Sequence, residues 1–106
     1  MPFDKCKATL YTLTVIKSFR HKGLELFFRT GKKGGIQPHQ AERLRLTLGA
    51  IDDASGPQDL SAPRLGLHQL SGNLAGFWAV KVSGNWRVIF RFDGEDVVAV
   101  DYLDYH

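Results

Sequence analysis

Between Trp78 and Phe92 the apolar side chains recur at every second position, as Trp78, Val80, Val82 and then Trp86, Val88, Phe90, Phe92, with Ser83-Gly84-Asn85 between the two runs. A period of two belongs to strands buried on one side, and a short break centred on glycine is the connection of a β-hairpin. Asp93-Gly94-Glu95 supplies a second such break before another apolar stretch. Strands are therefore expected over residues 65–70, 77–82, 86–92 and 97–103, in an antiparallel meander. A further short strand is expected over residues 15–19.

Upstream the period changes. Leu24, Phe27 and Phe28 share one face of a helix expected over residues 21–30, which Gly31 ends. Ala41, Leu44, Leu48 and Ile51 recur at three- and four-residue spacing, so a second helix should start at Pro38 and run to about residue 53. The segment SGPQDLSAP then breaks helical order. Two helices followed by a meander make an α+β domain, with both helices packed on one face of a mainly antiparallel sheet and the other face open. A chain of 106 residues with 43% hydrophobic residues has material for one such core, placed here at residues 15–106.

Residues 1–14 keep no convincing period and read as an extension outside that core. Their lysines stand near apolar residues, but threonines and a tyrosine interrupt any signal-like run, so neither a signal peptide nor a membrane span is expected. Cys6 is the single cysteine, and no Cys/His pairs have the spacing of a structural zinc site. The expectation is a cytoplasmic protein without a metal or other cofactor.

The net charge is +3, but its distribution carries more meaning than its sum. Lys17, Arg20, Lys22, Arg29, Lys32, Lys33, Arg43 and Arg45 face only Glu25 and Glu42 in the helical half, while the last forty residues lean acidic. Such a basic half suits a polyanion such as RNA, although a solvated surface on two helices would show the same charge. In the sheet, Lys81, Arg87 and Arg91 alternate with the apolar residues and so share the opposite face. An ordinary half-solvated sheet would also alternate in this way.

Large enzyme classes leave no trace. There is no nucleophile elbow, HExxH or Walker loop, and GKKGG lacks the spacing that cradles phosphate. What remains is a set of polar residues on the strands and just after them: His68, Arg87, Asp104, Tyr105 and His106. Antiparallel pairing could gather them at one end of the open face.

Four ordered segments carry a resemblance. They are Ile16-Lys17-Ser18-Phe19-Arg20-His21-Lys22-Gly23-Leu24-Glu25, Leu67-His68-Gln69-Leu70-Ser71-Gly72, Val82-Ser83-Gly84-Asn85-Trp86-Arg87-Val88-Ile89-Phe90 and Tyr102-Leu103-Asp104-Tyr105-His106. Together they resemble the HigB branch of the RelE/ParE toxin superfamily, over about residues 15–106. Members usually begin near the first motif, which makes residues 1–14 an expected product of an upstream start.

The resemblance implies a RelE-like fold and a toxin of a type II toxin-antitoxin system. It further implies metal-independent cleavage of mRNA in the decoding site of the 70S ribosome, by attack of a ribose 2′-hydroxyl on the adjacent phosphate. That reaction needs a base, an acid and a cation at the pentavalent phosphate. By resemblance His68 and His106 match the catalytic histidines, Arg87 the phosphate-stabilising arginine, and Asp104 and Tyr105 the acidic and aromatic residues of the C-terminus. Which histidine is base and which is acid stays open. The implied partner is a HigA-like helix-turn-helix antitoxin, through which alone the toxin would meet DNA. Lys17, Arg20, Lys22, Lys32, Lys33, Arg43, Arg45, Lys81 and Arg91 are the candidate contacts to RNA and the ribosome.

One departure matters. Relatives commonly read HPLKG where this chain has His68-Gln69-Leu70-Ser71-Gly72, so Ser71 stands at the lysine position. Lys81 or Arg91 could compensate, or the nuclease could be weaker. Two other functions are open on the sequence: a non-catalytic RNA- or ribosome-binding module, and a subunit that mainly assists its antitoxin in repression.

Overall fold

The computed structural model describes residues 15–104, so the expected extension and the candidates Tyr105 and His106 lie outside the described residues. Helix α1 spans Lys22–Thr30 and begins at His21, whose Nδ1 accepts a hydrogen bond from the Leu24 N–H at 2.9 Å. It ends at Gly31, in the left-handed region at φ 82°, with the Gly31 N–H bonded to the Phe27 carbonyl. The second helical segment opens as a 3-10 turn, Pro38–Gln40, and continues as α2, Ala41–Asp52. The Asp52 carboxylate accepts the N–H groups of Val15 and Ile16, both at 3.0 Å, and so ties the start of the described chain to the end of α2.

The sheet has four antiparallel strands in sequence order: β1 (His68–Gln69), β2 (Phe77–Ser83), β3 (Trp86–Asp93) and β4 (Asp96–Asp104). Gly84 and Gly94, at φ 56° and 64°, make the two hairpin turns. Val80, Val82, Val88, Phe90, Val97, Val100 and Tyr102 bury against Leu24, Phe27, Leu44, Leu48 and Ile51 of the helices. Each such side chain removed from water contributes about 1.5–3 kcal/mol before ordering entropy is subtracted. The helices thus cover one face, and Lys81 and Arg91 stand exposed on the other.

Two expected strands are shorter than the sequence suggests. Over residues 65–70 the strand is reduced to His68–Gln69, with one further bond to β2 from the Leu70 N–H to the Phe77 carbonyl at 2.9 Å, because Pro63–Leu65 forms a 3-10 turn and Gly66 reverses the chain at φ 57°. Over residues 15–19 there are only isolated parallel bridges, Ile16 to Val97 and Phe19 to Val100. The cause is a bulge in β4. Ile89 pairs with Asp101 but Arg91 pairs with Val98, so Ala99 and Val100 together oppose Phe90. Ala99 sits at φ 57°, its N–H bonded to Ser18 Oγ at 2.8 Å, while the Val100 carbonyl accepts from the Arg20 N–H at 2.7 Å. An unbulged strand would turn Tyr102 outward and Asp101 into the core. The extra residue places Tyr102 inside and Asp101 on the open face.

Candidate active site on the open sheet face

The open face is laid out by strand register. Its central row runs His68, Ala79, Ile89, Asp101, and the next row toward the β2–β3 turn runs Lys81, Arg87, Leu103. On the other side lie Phe77, Arg91 and Val98. Strand spacing of about 4.8 Å and a rise of about 3.4 Å per residue set the Cα atoms of His68 and Arg87 on the order of 12 Å apart. Lys81 lies between them, directly across from Arg87. His68, Lys81 and Arg87 therefore share a face.

His68 is exposed at the sheet edge, its Nδ1 3.2 Å from the Gly66 carbonyl. In the neutral ring, the tautomer that donates there leaves Nε2 as an acceptor, the form a general base requires. Arg87 is oriented by its own hairpin: Nη1 donates to the carbonyls of Gly84 at 2.8 Å and Trp86 at 3.0 Å. These bonds aim a guanidinium that would otherwise sample many rotamers.

Asp104 is exposed at the end of β4, opposite Trp86, so register assigns it to the helix side rather than to the face of His68 and Arg87. Its charge reaches Tyr102 on that side. Burial, foremost, and the Asp104 carboxylate raise the Tyr102 hydroxyl above its ordinary pKa, against a lowering contribution from the Gln37 backbone. The hydroxyl donates to buried Gln40, and the rings of Trp86 and His21 pack on Tyr102 at 4.5 and 5.4 Å. No sequence pattern marked this cluster, because Gln40 lies at the position where only a helix start was legible.

The cations of the helical half do not form one surface. From α2, Arg43 donates to the Val82 carbonyl at 3.2 Å. Arg45 pairs with Glu42, whose carboxyl is lowered chiefly by that hydrogen bond. Arg29 pairs with Glu25 on α1. Lys17, Lys22, Lys32 and Lys33 are exposed, with no ion pair among the described residues. Arg20 belongs to the open face instead, 4.0 Å from Asp101 and 5.9 Å from the Phe77 ring centroid. Its placement depends on the parallel bridge to β4, which sequence reading did not supply.

Ser71 is exposed just beyond β1, where it precedes the 3-10 turn Gly72–Leu74. A cleft of about 380 Å³ between the helices, lined by Phe27, Phe28, Gly31, Arg45, Leu48 and Gly49, lies away from these groups. Among the described residues, no three His, Cys, Asp or Glu gather as a metal site, and no helix is long and apolar enough to cross a membrane.

Residues 17–106 match the family described as RelE-like toxin of type II toxin-antitoxin system HigB. Endoribonuclease HigB of Proteus vulgaris is 39% identical over 92 residues, which cover 87% of this chain and 100% of that protein. Toxin HigB-1 of Vibrio cholerae serotype O1 is 34% identical over 91 residues, covering 83% and 94%. In fold, the YoeB/ParE toxin from Agrobacterium tumefaciens superposes with a TM-score of 0.55 at 16% identity, covering 86% of this chain and 96% of that one. YoeB from Staphylococcus aureus gives 0.54 at 14% identity, covering 88% and 97%.

Proposed function

Because the chain belongs to the HigB-like family of RelE-like toxins, we propose that it cleaves mRNA on the 70S ribosome, using the open sheet face as its active site. It is an endoribonuclease toxin of a type II toxin-antitoxin system. The observation that carries the site assignment is the shared face of His68, Lys81 and Arg87, turned away from the helices.

The reaction is a transesterification. A base removes the 2′-proton, the 2′-oxygen attacks the adjacent phosphorus, and the bond to the 5′-oxygen breaks as an acid protonates it, leaving a 2′,3′-cyclic phosphate and a 5′-hydroxyl. His68 and His106 are the proposed base and acid, in an order that their pH profiles must decide. Arg87, held by two carbonyls, and Lys81 beside it offset the charge that gathers on the phosphorane. Tyr105 stacks on a base, as aromatics commonly do with single-stranded RNA. Asp104 is carried into the site as the acidic residue of the family's C-terminal motif, on the side of β4 opposite His68 and Arg87. The exposed lysines Lys17, Lys22, Lys32 and Lys33 serve docking on ribosomal RNA, and silencing falls to a HigA-like helix-turn-helix antitoxin in the cytoplasm.

The test is a purified translation system with a reporter mRNA, followed by mapping of new 5′ ends, with naked mRNA as the control. Cuts should require the ribosome. His68→Ala and His106→Ala should each lower the rate by about 10²–10⁴-fold with the fold retained. Ribosome binding without any cuts would reassign the chain to a non-catalytic module.

A further inference from the structure

Ile89 and Ala79 are fully buried, although they face away from both helices and take no part in the core between helices and sheet. Something on the open face covers them. Arg20 leaves the chain at the outer side of β4, where its N–H bonds the Val100 carbonyl beside the Ala99 bulge. Its guanidinium nonetheless reaches both Asp101 on β4 and the ring of Phe77 on β2. These two strands flank β3, so the side chain crosses β3 over the central row that contains Ile89.

We infer that Arg20 is a substrate-binding residue of the open face, a cation lying across β3 that takes an RNA backbone phosphate next to the scissile one. The inference rests on the nuclease reading of that face and gives Arg20, until now one of nine candidate RNA contacts, a defined subsite on it. Three observations support it. The Arg20 side chain is about half exposed, at 53%, while Asp101 is at 18%, so solvent and ligand reach the cation more readily than its counter-ion. The 4.0 Å separation is the outer limit of an ion pair, and a guanidinium offers five N–H donors in a fork suited to phosphate. The Phe77 ring, 5.9 Å from the guanidinium carbon, lowers the cost of holding the cation over this face, whose central row includes the buried Ala79 and Ile89. With Lys81 and Arg87 on one side of the central row and Arg91 on the other, Arg20 completes a track of positive charge across the face. A single strand of RNA is recognised by such a track.

A purely structural ion pair predicts something different, and the experiment separates the two. The probe is a short single-stranded RNA with a 2′-O-methyl group at the scissile position, measured by fluorescence anisotropy at several salt concentrations against the full chain. Arg20→Ala should bind about tenfold more weakly. The slope of log affinity against log salt should fall by about 0.7, the loss of one phosphate contact. Asp101→Asn keeps the cation and should keep the slope. Arg20→Lys keeps charge without the fork and should fall between wild type and alanine in affinity, which covers the case of a poorly folding alanine variant. Equal affinity and slope for wild type and Arg20→Ala would overturn the inference, as would no binding by wild type. An equal fall in melting temperature for Arg20→Ala and Asp101→Asn with no change of slope would also overturn it, in favour of a structural pair. Reporter cleavage by the wild type is scored separately: RNA binding through Arg20 without cleavage overturns the nuclease reading alone.

Discussion

A β-carbon added to Gly35 would stand 2.5 Å from the Cα of Gly23, and one added to Gly23 would stand 2.7 Å from the Cα and the carbonyl oxygen of Gly35. Two backbones touch here without side chains. The GKKGG loop is thereby pressed onto the first turn of α1, which gives Gly35 a packing role where phosphate cradling had been excluded on spacing.

Gly35→Ala should therefore destabilise the domain by about 3 kcal/mol, since neither backbone can move away without shifting α1. Gly34 provides the control: a β-carbon there meets nothing within 4 Å, and its φ is not in the left-handed region. Gly34→Ala should be neutral or stabilise by up to about 1 kcal/mol, through the unfolded chain. Urea melts of both variants check the contrast, and equal midpoints would refute the close contact.

Ala99 is the one non-glycine residue at positive φ among those described, at 57°. An L-residue there costs roughly 1–2 kcal/mol, which the Ser18 hydrogen bonds offset. Ala99→Gly should raise stability by up to about 1 kcal/mol, and Ala99→Val should lower it by more, because a β-branched side chain fits that region worst. A denaturation series of the three proteins tests this. Destabilisation by glycine would mean that the bulge is not strained.

The bulge also marks the limit of what the sequence reveals. Helix positions, both hairpin turns and the polar face of Lys81, Arg87 and Arg91 follow from local periods, so they were legible. Register past Val98 was not, because a single extra residue at Ala99 reverses which of Asp101 and Tyr102 faces the core, and Val97-Val98-Ala99-Val100 has no alternation to reveal it. The same blindness hid Arg20, which charge counting grouped with the helix cations and which tertiary pairing moves to the sheet. His68 and Arg87 needed the family motif as well as the strand pattern, since a lone strand histidine carries little information by itself.

Tyr102 makes stability depend on alkaline pH. Burial raises its pKa above the ordinary 10.0, so the folded chain holds the phenolic proton more tightly than the unfolded chain does. Its contribution is complete below pH 10.0 and is lost as pH rises from there through the higher folded value. Tyr102→Phe should remove that part of the alkaline loss. At neutral pH it should cost about 1–3 kcal/mol, because the Gln40 side-chain oxygen loses its buried donor. Melting temperatures of the two proteins between neutral and strongly alkaline pH give the comparison, and parallel curves would refute it.

The neutral Ser71 leaves the question of which cation serves the phosphate in place of a lysine there, and the register favours Lys81 over Arg91. Lys81 is directly across from Arg87, and its strand neighbour Ala79 two residues earlier pairs with His68, so it projects between the two proposed catalytic groups. Arg91 lies on the far side of the central row, with its side chain alongside Gly76. Removing a charge that meets a developing phosphorane costs about 10²–10³-fold in rate, whereas removing one that only tracks the RNA backbone weakens binding. Lys81→Ala should therefore lower the single-turnover rate on programmed ribosomes by about 10²-fold. Arg91→Ala should mainly raise the concentration of toxin needed for half-maximal cleavage. On this assignment Ser71→Lys should do little in the wild type but should recover part of the rate in the Lys81→Ala background. The recovery stays partial because the exposed turn that follows β1 gives a new lysine no supporting contacts to fix its reach. A full rate in Lys81→Ala combined with a lost rate in Arg91→Ala would transfer the role to Arg91 and reverse the register argument.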